Sequence, residues 1–266
     1  MSTESVQVGD QRLRVRRCGR GSPLLLIMGL GGSIESWEPL PRQLTGYELI
    51  LVDHPGMGDS PAPLSPVPMT GLARLYDRML AVMGYGPVDV LGYSFGGTVA
   101  QQLAIQHPAR VNRMVLAATA CGWGGVPMTF PAMMASASPI RYYSPEYRQA
   151  FAPFIYAGQT GRNPGRLAAV PAPRPSLKGL MYQIAAYSAW TSLPWLHRLR
   201  QPTLVLAGEE DPMAPVQNSK LLARCIPNAT LHIFPRAGHL FLFDETSAVV
   251  PILNSFLQAV PAAKAV

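Results

Sequence analysis

One run of five residues carries recognisable chemistry: Gly92-Tyr93-Ser94-Phe95-Gly96. It fits G-x-S-x-G, a sharp strand-to-helix turn that lifts a serine hydroxyl clear of a sheet edge. Glycines two residues either side of Ser94 let backbone segments approach where a Cβ would clash. A helix starting just beyond the serine points its positive end at negative charge developing there. Such a serine attacks carbonyl carbon, and its hydroxyl needs a base. Five histidines compete for that role. His107 precedes Pro108 at a helix stop, His197 follows Trp195 in a Pro- and Arg-rich stretch, His232 lies inside a strand-like run, and His54 sits in the turn after another. His239, next to Gly238 and just past the last apolar run, has the place that the chain order serine, acid, histidine requires. The acid should follow a strand between the other two. No carboxylate follows Met114 to Ala118, and the next apolar run ends in Glu209, Glu210 and Asp211. Asp211, held before Pro212, fits best as acceptor for the imidazole N–H; Glu209 and Glu210 also satisfy the spacing. Two backbone donors are needed for the oxyanion. Phe95 N–H is one expectation, and Leu30 N–H, from Met28-Gly29-Leu30-Gly31-Gly32, is the other.

These groups meet only if strands deliver them to one edge. The chain alternates short apolar runs with longer amphipathic ones, the pattern of a mostly parallel sheet with covering helices. Buried strands are predicted at Pro23 to Met28, Tyr47 to Val52, Val88 to Leu91, Met114 to Ala118, Pro202 to Ala207 and Thr230 to Phe234. Leu72, Leu75, Tyr76, Met79, Leu80 and Met83 form one helical face. Helices are also predicted after Ser94 to about Gln106, at Asn218 to Cys225 and near Thr246 to Leu257, where Pro251 is a complication if it lies past the first turn. From Cys121 to Arg198 the texture changes to Pro, Met, Tyr and Arg, with helical fragments at Tyr147 to Phe154 and Gly179 to Ala189 and no strand pattern. The expected organisation is an α/β core from residues 1–120 and 199–266, with an inserted helical cap at 121–198.

Composition narrows the classes. Hydrophobic residues make up 48% and charged residues only 14% of the chain, against about a quarter charged in an average protein, which argues for a compact body. The longest apolar stretch, Leu24 to Leu30, is broken at Gly29 and falls short of the roughly 20 residues of a membrane span. Met1 to Arg17 is polar and lacks the apolar stretch of a secretory signal, so a cytoplasmic location is expected. Cys18, Cys121 and Cys225 have no metal or disulfide spacing and are expected as reduced, packed thiols. The net charge is +7, and the 121–198 segment, with seven Lys and Arg against the single acid Glu146, accounts for most of it. No nucleic-acid motif accompanies it. A solvated basic surface is the simple explanation, and attraction of an anionic substrate or product the sharper one. No Walker pattern, helix-opening G-x-G-x-x-G or metal-ligand spacing is found, so neither cofactor nor metal is expected. A serine at position 94, rather than an aspartate, disfavours alkyl-enzyme chemistry.

Taken in order, Met-Gly-Leu-Gly-Gly, Asp53-His-Pro-Gly-Met-Gly-Asp-Ser, Gly-Tyr-Ser-Phe-Gly-Gly, Gly208-Glu-Glu-Asp-Pro and Gly-His resemble the α/β-hydrolase superfamily across the whole chain. Leu116-Ala-Ala-Thr-Ala, Met133-Met-Ala-Ser, Trp190-Thr-Ser-Leu-Pro-Trp-Leu-His, Arg200-Gln-Pro-Thr-Leu-Val-Leu-Ala-Gly, Ile226-Pro-Asn-Ala-Thr-Leu-His-Ile and Gly238-His-Leu-Phe-Leu look like the intracellular depolymerases of medium-chain poly(3-hydroxyalkanoates). The resemblance implies hydrolysis of a polyester of 3-hydroxyacids, a medium-chain polyhydroxyalkanoate or its oligomers, with Ser94, Asp211 and His239 as catalytic residues and the polyhydroxyalkanoate granule surface as an expected partner. The elbow departs from the Val-Ser-Trp expected of that family, having Tyr93-Ser94-Phe95, and Gly122 to Phe130 also diverges. Tyr93, Leu240 and Trp190 are the expected substrate contacts. Rival expectations are a small-molecule esterase, lactonase or carbon–carbon bond hydrolase, and a non-catalytic ligand-binding relative.

Overall fold

The chain opens with two strands that the sequence reading above does not contain. In the computed structural model, β1 (Ser2–Val8) and β2 (Gln11–Gly19) pair antiparallel, joined at Gly9 with φ +58°. The signal is a period-two alternation: Leu13 and Val15 are fully buried, while Arg14 and Arg16 alternate with them and are only partly buried. The surrounding arginines disguise it as a polar terminus. The structure describes residues 2–169 and 175–258; Met1, residues 170–174 of the expected cap and residues 259–266 of the expected core lie outside the described residues.

β3 (Ser22–Ile27), β4 (Tyr47–Val52), α1 (Met69–Val82), β5 (Val88–Tyr93), α2 (Phe95–Gln106) and β6 (Val111–Ala117) follow. After β6 the described residues form α3 (Phe130–Ala137), α4 (Pro145–Ala150), α5 (Ala152–Ile155), α6 (Gly158–Arg162) and α7 (Leu177–Ser188). Two antiparallel residues, Gly122 and Thr191, form an isolated bridge at the base of that excursion. The chain then returns through β7 (Thr203–Gly208), α8 (Val216–Cys225), β8 (Ala229–Phe234), α9 (Phe241–Asp244) and α10 (Thr246–Gln258). Pro251 lies inside α10, past its first turn. Between β6 and β7 the helical fragments break more often than the sequence suggests: Phe151 interrupts the expected Tyr147 to Phe154 helix.

Among the described residues, eight strands form one sheet in the order β1-β2-β4-β3-β5-β6-β7-β8. β1, β2 and β4 pair antiparallel, and every pairing from β4 through β8 is parallel. A parallel sheet must be covered on both faces, so its strands are apolar on both sides. Leu25 and Ile27 pack beneath α1, α2 and α8, whereas Leu24 and Leu26 pack with Trp37 and with Phe241, Val249 and Leu253 of α9 and α10. Each fully buried side chain of this kind contributes about 1.5–3 kcal/mol. No described helix is long and apolar enough to cross a membrane.

Candidate active site

In parallel α/β sheets, sites form beyond the carboxyl ends of the strands. β5 lies between β3 and β6, so the turn after β5 faces the loop after β3. Ser94 sits in that turn at φ 53°, ψ −119°, a conformation rarely adopted by a residue with a side chain. Several bonds hold it: Ser94 N–H donates to Ala117 C=O at 2.8 Å, and the Thr119 hydroxyl donates to Ser94 C=O at 2.7 Å. A Cβ on Gly96 would overlap the Ile27 carbonyl, and one on Gly92 would meet Gly97 Cα at 2.6 Å. The glycines thus serve the close strand–helix packing that the motif implies.

The structure brings Ser94, His239 and Asp211 into one chain of hydrogen bonds. His239 Nε2 is 3.2 Å from Ser94 Oγ, and His239 Nδ1 is 2.7 Å from Asp211 Oδ2. Asp211 Oδ1 accepts the Met213 and Ala214 N–H groups, both at 2.9 Å. Asp211 is therefore buried with both oxygens engaged, and the imidazole is presented with Nδ1–H toward the carboxylate. Of the three acids open on spacing, Glu209 instead accepts the Arg236 N–H and Glu210 pairs with Arg162. The remaining histidines lie apart from Ser94. His54 is buried, facing Met28 C=O through Nε2 at 2.8 Å and the Tyr76 hydroxyl through Nδ1. Burial pushes its pKa down to about 4, so it is neutral.

Phe95 is the first residue of α2, whose opening N–H groups lack intrahelical partners. Leu30 lies across from it on the loop after β3, and both residues line cavities that contain Ser94. That loop is tied down by residues the sequence does not single out. Gln183 of α7 accepts the Gly31 N–H at 2.9 Å, and the Tyr142 hydroxyl donates to Leu30 C=O at 3.3 Å. Asp53 accepts the Ile34 N–H at 2.7 Å and pairs with Arg14 at 3.0 Å, fixing the far side of the loop. Gln183 and Tyr142 carry no motif; only their partners in space mark them.

Ser94 lies where two cavities meet. One, of about 580 Å³, runs past His239, Tyr93, Leu240 and Phe243; the other, of about 350 Å³, runs past Phe95 and is walled by Met128, Met181 and Ile184. Tyr93 and Leu240 thus line the same cavity as Ser94, and the Tyr93 hydroxyl donates to His239 C=O at 3.0 Å. Trp190 is a correction. It lines neither cavity; its ring is packed in the core and its indole N–H donates to Gln102 Oε1 at 2.6 Å. The 121–198 segment is also less of a solvated basic surface than its composition suggests, because Arg141 and Arg148 are buried. The cysteines form no disulfide. Among the described residues, no three His, Cys, Asp or Glu side chains could hold a metal ion together.

Sheet order, turn and site together define a class. The family model described as alpha/beta hydrolase fold matches residues 22–177 and 173–246, and the chain belongs to that family. Within it, the chain is similar to the poly(3-hydroxyalkanoate) depolymerase of Ectopseudomonas oleovorans: 43% identical over 261 residues, covering 96% of this chain and 92% of the relative. Among solved structures, a hydrolase from Pseudomonas aeruginosa PA01 is 25% identical with a TM-score of 0.82, over 97% of this chain and 99% of its own. The enol-lactonase from Burkholderia xenovorans LB400 has the same fold, with a TM-score of 0.82 at 21% identity, over 96% of this chain and 100% of its own.

Proposed function

We propose that the protein is a serine ester hydrolase acting on medium-chain poly(3-hydroxyalkanoate) or its oligomers through an acyl-enzyme. The observation that carries the reading is the Ser94–His239–Asp211 chain, opening onto two cavities that Leu30 and Phe95 border. Ser94 Oγ attacks the ester carbonyl carbon as His239 Nε2 takes its proton. The carbonyl oxygen becomes an oxyanion held by the Leu30 and Phe95 N–H groups. The bond to the alkoxide then breaks, and His239 returns the proton to the departing alcohol. Water, activated by the same imidazole, attacks the acyl-enzyme and releases the acid and free Ser94. Asp211 orients the ring and stabilises its charged form throughout. The sequence of steps uses neither cofactor nor metal.

The polyester substrate is supported by the 43% identity to a poly(3-hydroxyalkanoate) depolymerase. Residues 121–198 act in this reading as a cap on the core of 1–120 and 199–266. The cap's surface supports contact with an apolar granule: among the described residues, thirteen of fifteen exposed large hydrophobic side chains lie between Trp123 and Trp195. Some of these, such as Met181 and Ile184, line the cavity beside Ser94; the others remain free to meet an apolar surface, and the enzyme is read as cytoplasmic and granule-associated. The test is release of 3-hydroxyacid from a medium-chain polyhydroxyalkanoate suspension by wild type and Ser94→Ala, with a soluble nitrophenyl ester in parallel. Wild type alone should release acid, with Ser94→Ala at background on both substrates. Ester cleavage without polymer release would move the substrate to a small ester or lactone, and failure to label with a fluorophosphonate would overturn the serine mechanism.

A further inference from the structure

The two cavities that meet at Ser94 differ in charge. Leu30, Arg141, Tyr142 and Met213 border both. The cavity on the Phe95 side is walled by methionine and aliphatic side chains, and Arg141 is its one charged lining residue among those described. The cavity on the His239 side gathers four arginines, Arg42, Arg141, Arg148 and Arg166. Two of these are answered within the protein: Arg42 faces Glu38 at 3.0 Å and Arg166 faces Asp244 at 3.5 Å. Arg148 donates to Leu167 C=O at 3.1 Å.

Arg141 is different. It is only 8% exposed, yet it forms no ion pair among the described residues, and its Nε has no hydrogen-bond partner. Its guanidinium donates to the Tyr142 hydroxyl and lies 4.5 Å from the centre of that ring. A buried cation without a counter-charge is expensive to keep, and a guanidinium fork matches a carboxylate in charge and shape.

The reaction fixes which half of an ester occupies which cavity. His239 must protonate the departing alcohol, so the alcohol half lies on the His239 side and the acyl half in the apolar cavity. In a 3-hydroxyacid polyester the alcohol half of the last ester bond is itself a 3-hydroxyacid with a free carboxylate. We propose that Arg141 receives that terminal carboxylate, so that the enzyme removes units one at a time from the carboxyl end of the chain. Hydrolysis at each step consumes one water and releases one 3-hydroxyacid, leaving a new carboxylate on the shortened chain after deacylation. The proposal rests on ester hydrolysis at Ser94.

The anion site is tested on soluble nitrophenyl ester turnover, with 3-hydroxyoctanoate and its methyl ester as competing inhibitors. A charge-assisted contact should make the wild-type inhibition constant for the acid at least about tenfold lower than for the methyl ester. That ratio should collapse toward one in Arg141→Met and be partly retained in Arg141→Lys. Because the ratio is taken within one enzyme, it does not depend on how much of a variant is active. Equal inhibition of wild type by acid and methyl ester overturns the proposal without any variant, as does a ratio that Arg141→Met leaves intact. The direction of attack is read from a 3-hydroxyoctanoate dimer offered as free acid and as methyl ester. Faster cleavage of the free acid, lost in Arg141→Met, supports removal from the carboxyl end. A wild-type inhibition ratio that collapses in Arg141→Met, with no dimer or polymer cleavage by the wild type, would instead sink the polyester reading and leave the anion site standing.

Discussion

At the scale of single residues, the groups proposed to react are easier to find than the groups that hold them in place. Ser94, Asp211 and His239 are marked by motif and chain order; Gln183 is not, yet it accepts the Gly31 N–H beside Leu30. An oxyanion donor must already point at the oxyanion before charge develops, because its contribution comes from not having to reorganise. Removing the acceptor on Gln183 frees the loop without touching substrate. Gln183→Met should therefore lower kcat and kcat/KM together, by about ten- to a hundredfold on a soluble nitrophenyl ester, with KM little changed. An effect confined to KM would mean that Gln183 shapes the cavity instead of positioning the loop. Sequence reasoning had no route to this residue: it lies far along the chain from Gly31, in a segment whose helix carries no catalytic signature.

At the scale of elements, the argument turns on how closely β3 and α2 approach. Gly96 allows it, since a methyl there would overlap the Ile27 carbonyl, and backbone cannot move aside as a flexible side chain can. Gly96→Ala should cost about 1–3 kcal/mol in urea unfolding, the usual range for overpacking, and should lower activity by displacing Ser94. Wild-type stability in that variant would overturn the packing argument. The same element scale shows what the sequence discloses. Strands covered on both faces, such as β3 and β7, read as nearly continuous apolar runs and emerge within a residue of their bounds. β1 and β2 are missed because one face is arginine-rich and the buried set is only Val6, Val8, Leu13, Val15 and Cys18. Trp190 is misplaced for a related reason: composition identifies a large aromatic residue near the site but cannot tell a cavity wall from the packed base on which it stands.

At the scale of the whole molecule, the loops around Ser94 and the sheet are joined by buried polar groups, and one of these makes stability depend on pH. His54 joins Met28 C=O, at the entrance to the Leu30 loop, to Tyr76 of α1. Burial depresses its pKa to about 4, against about 6.5 in the unfolded chain. Between those values the unfolded state binds more protons than the folded one, so stability rises with pH across that window. The His54 contribution is complete above about pH 6.5 and is lost as pH falls toward 4, an effect on the order of 3 kcal/mol. Its neighbour Asp53 acts in the opposite sense, because burial pushes its carboxyl up; comparison with a variant separates the two. His54→Gln keeps an N–H for Met28 C=O but has no proton to gain. Urea unfolding from pH 7 to pH 4.5 should show the wild type losing stability more steeply than His54→Gln, even if the variant starts lower. Parallel curves would place the acid sensitivity in other groups and leave His54 as a neutral tether alone.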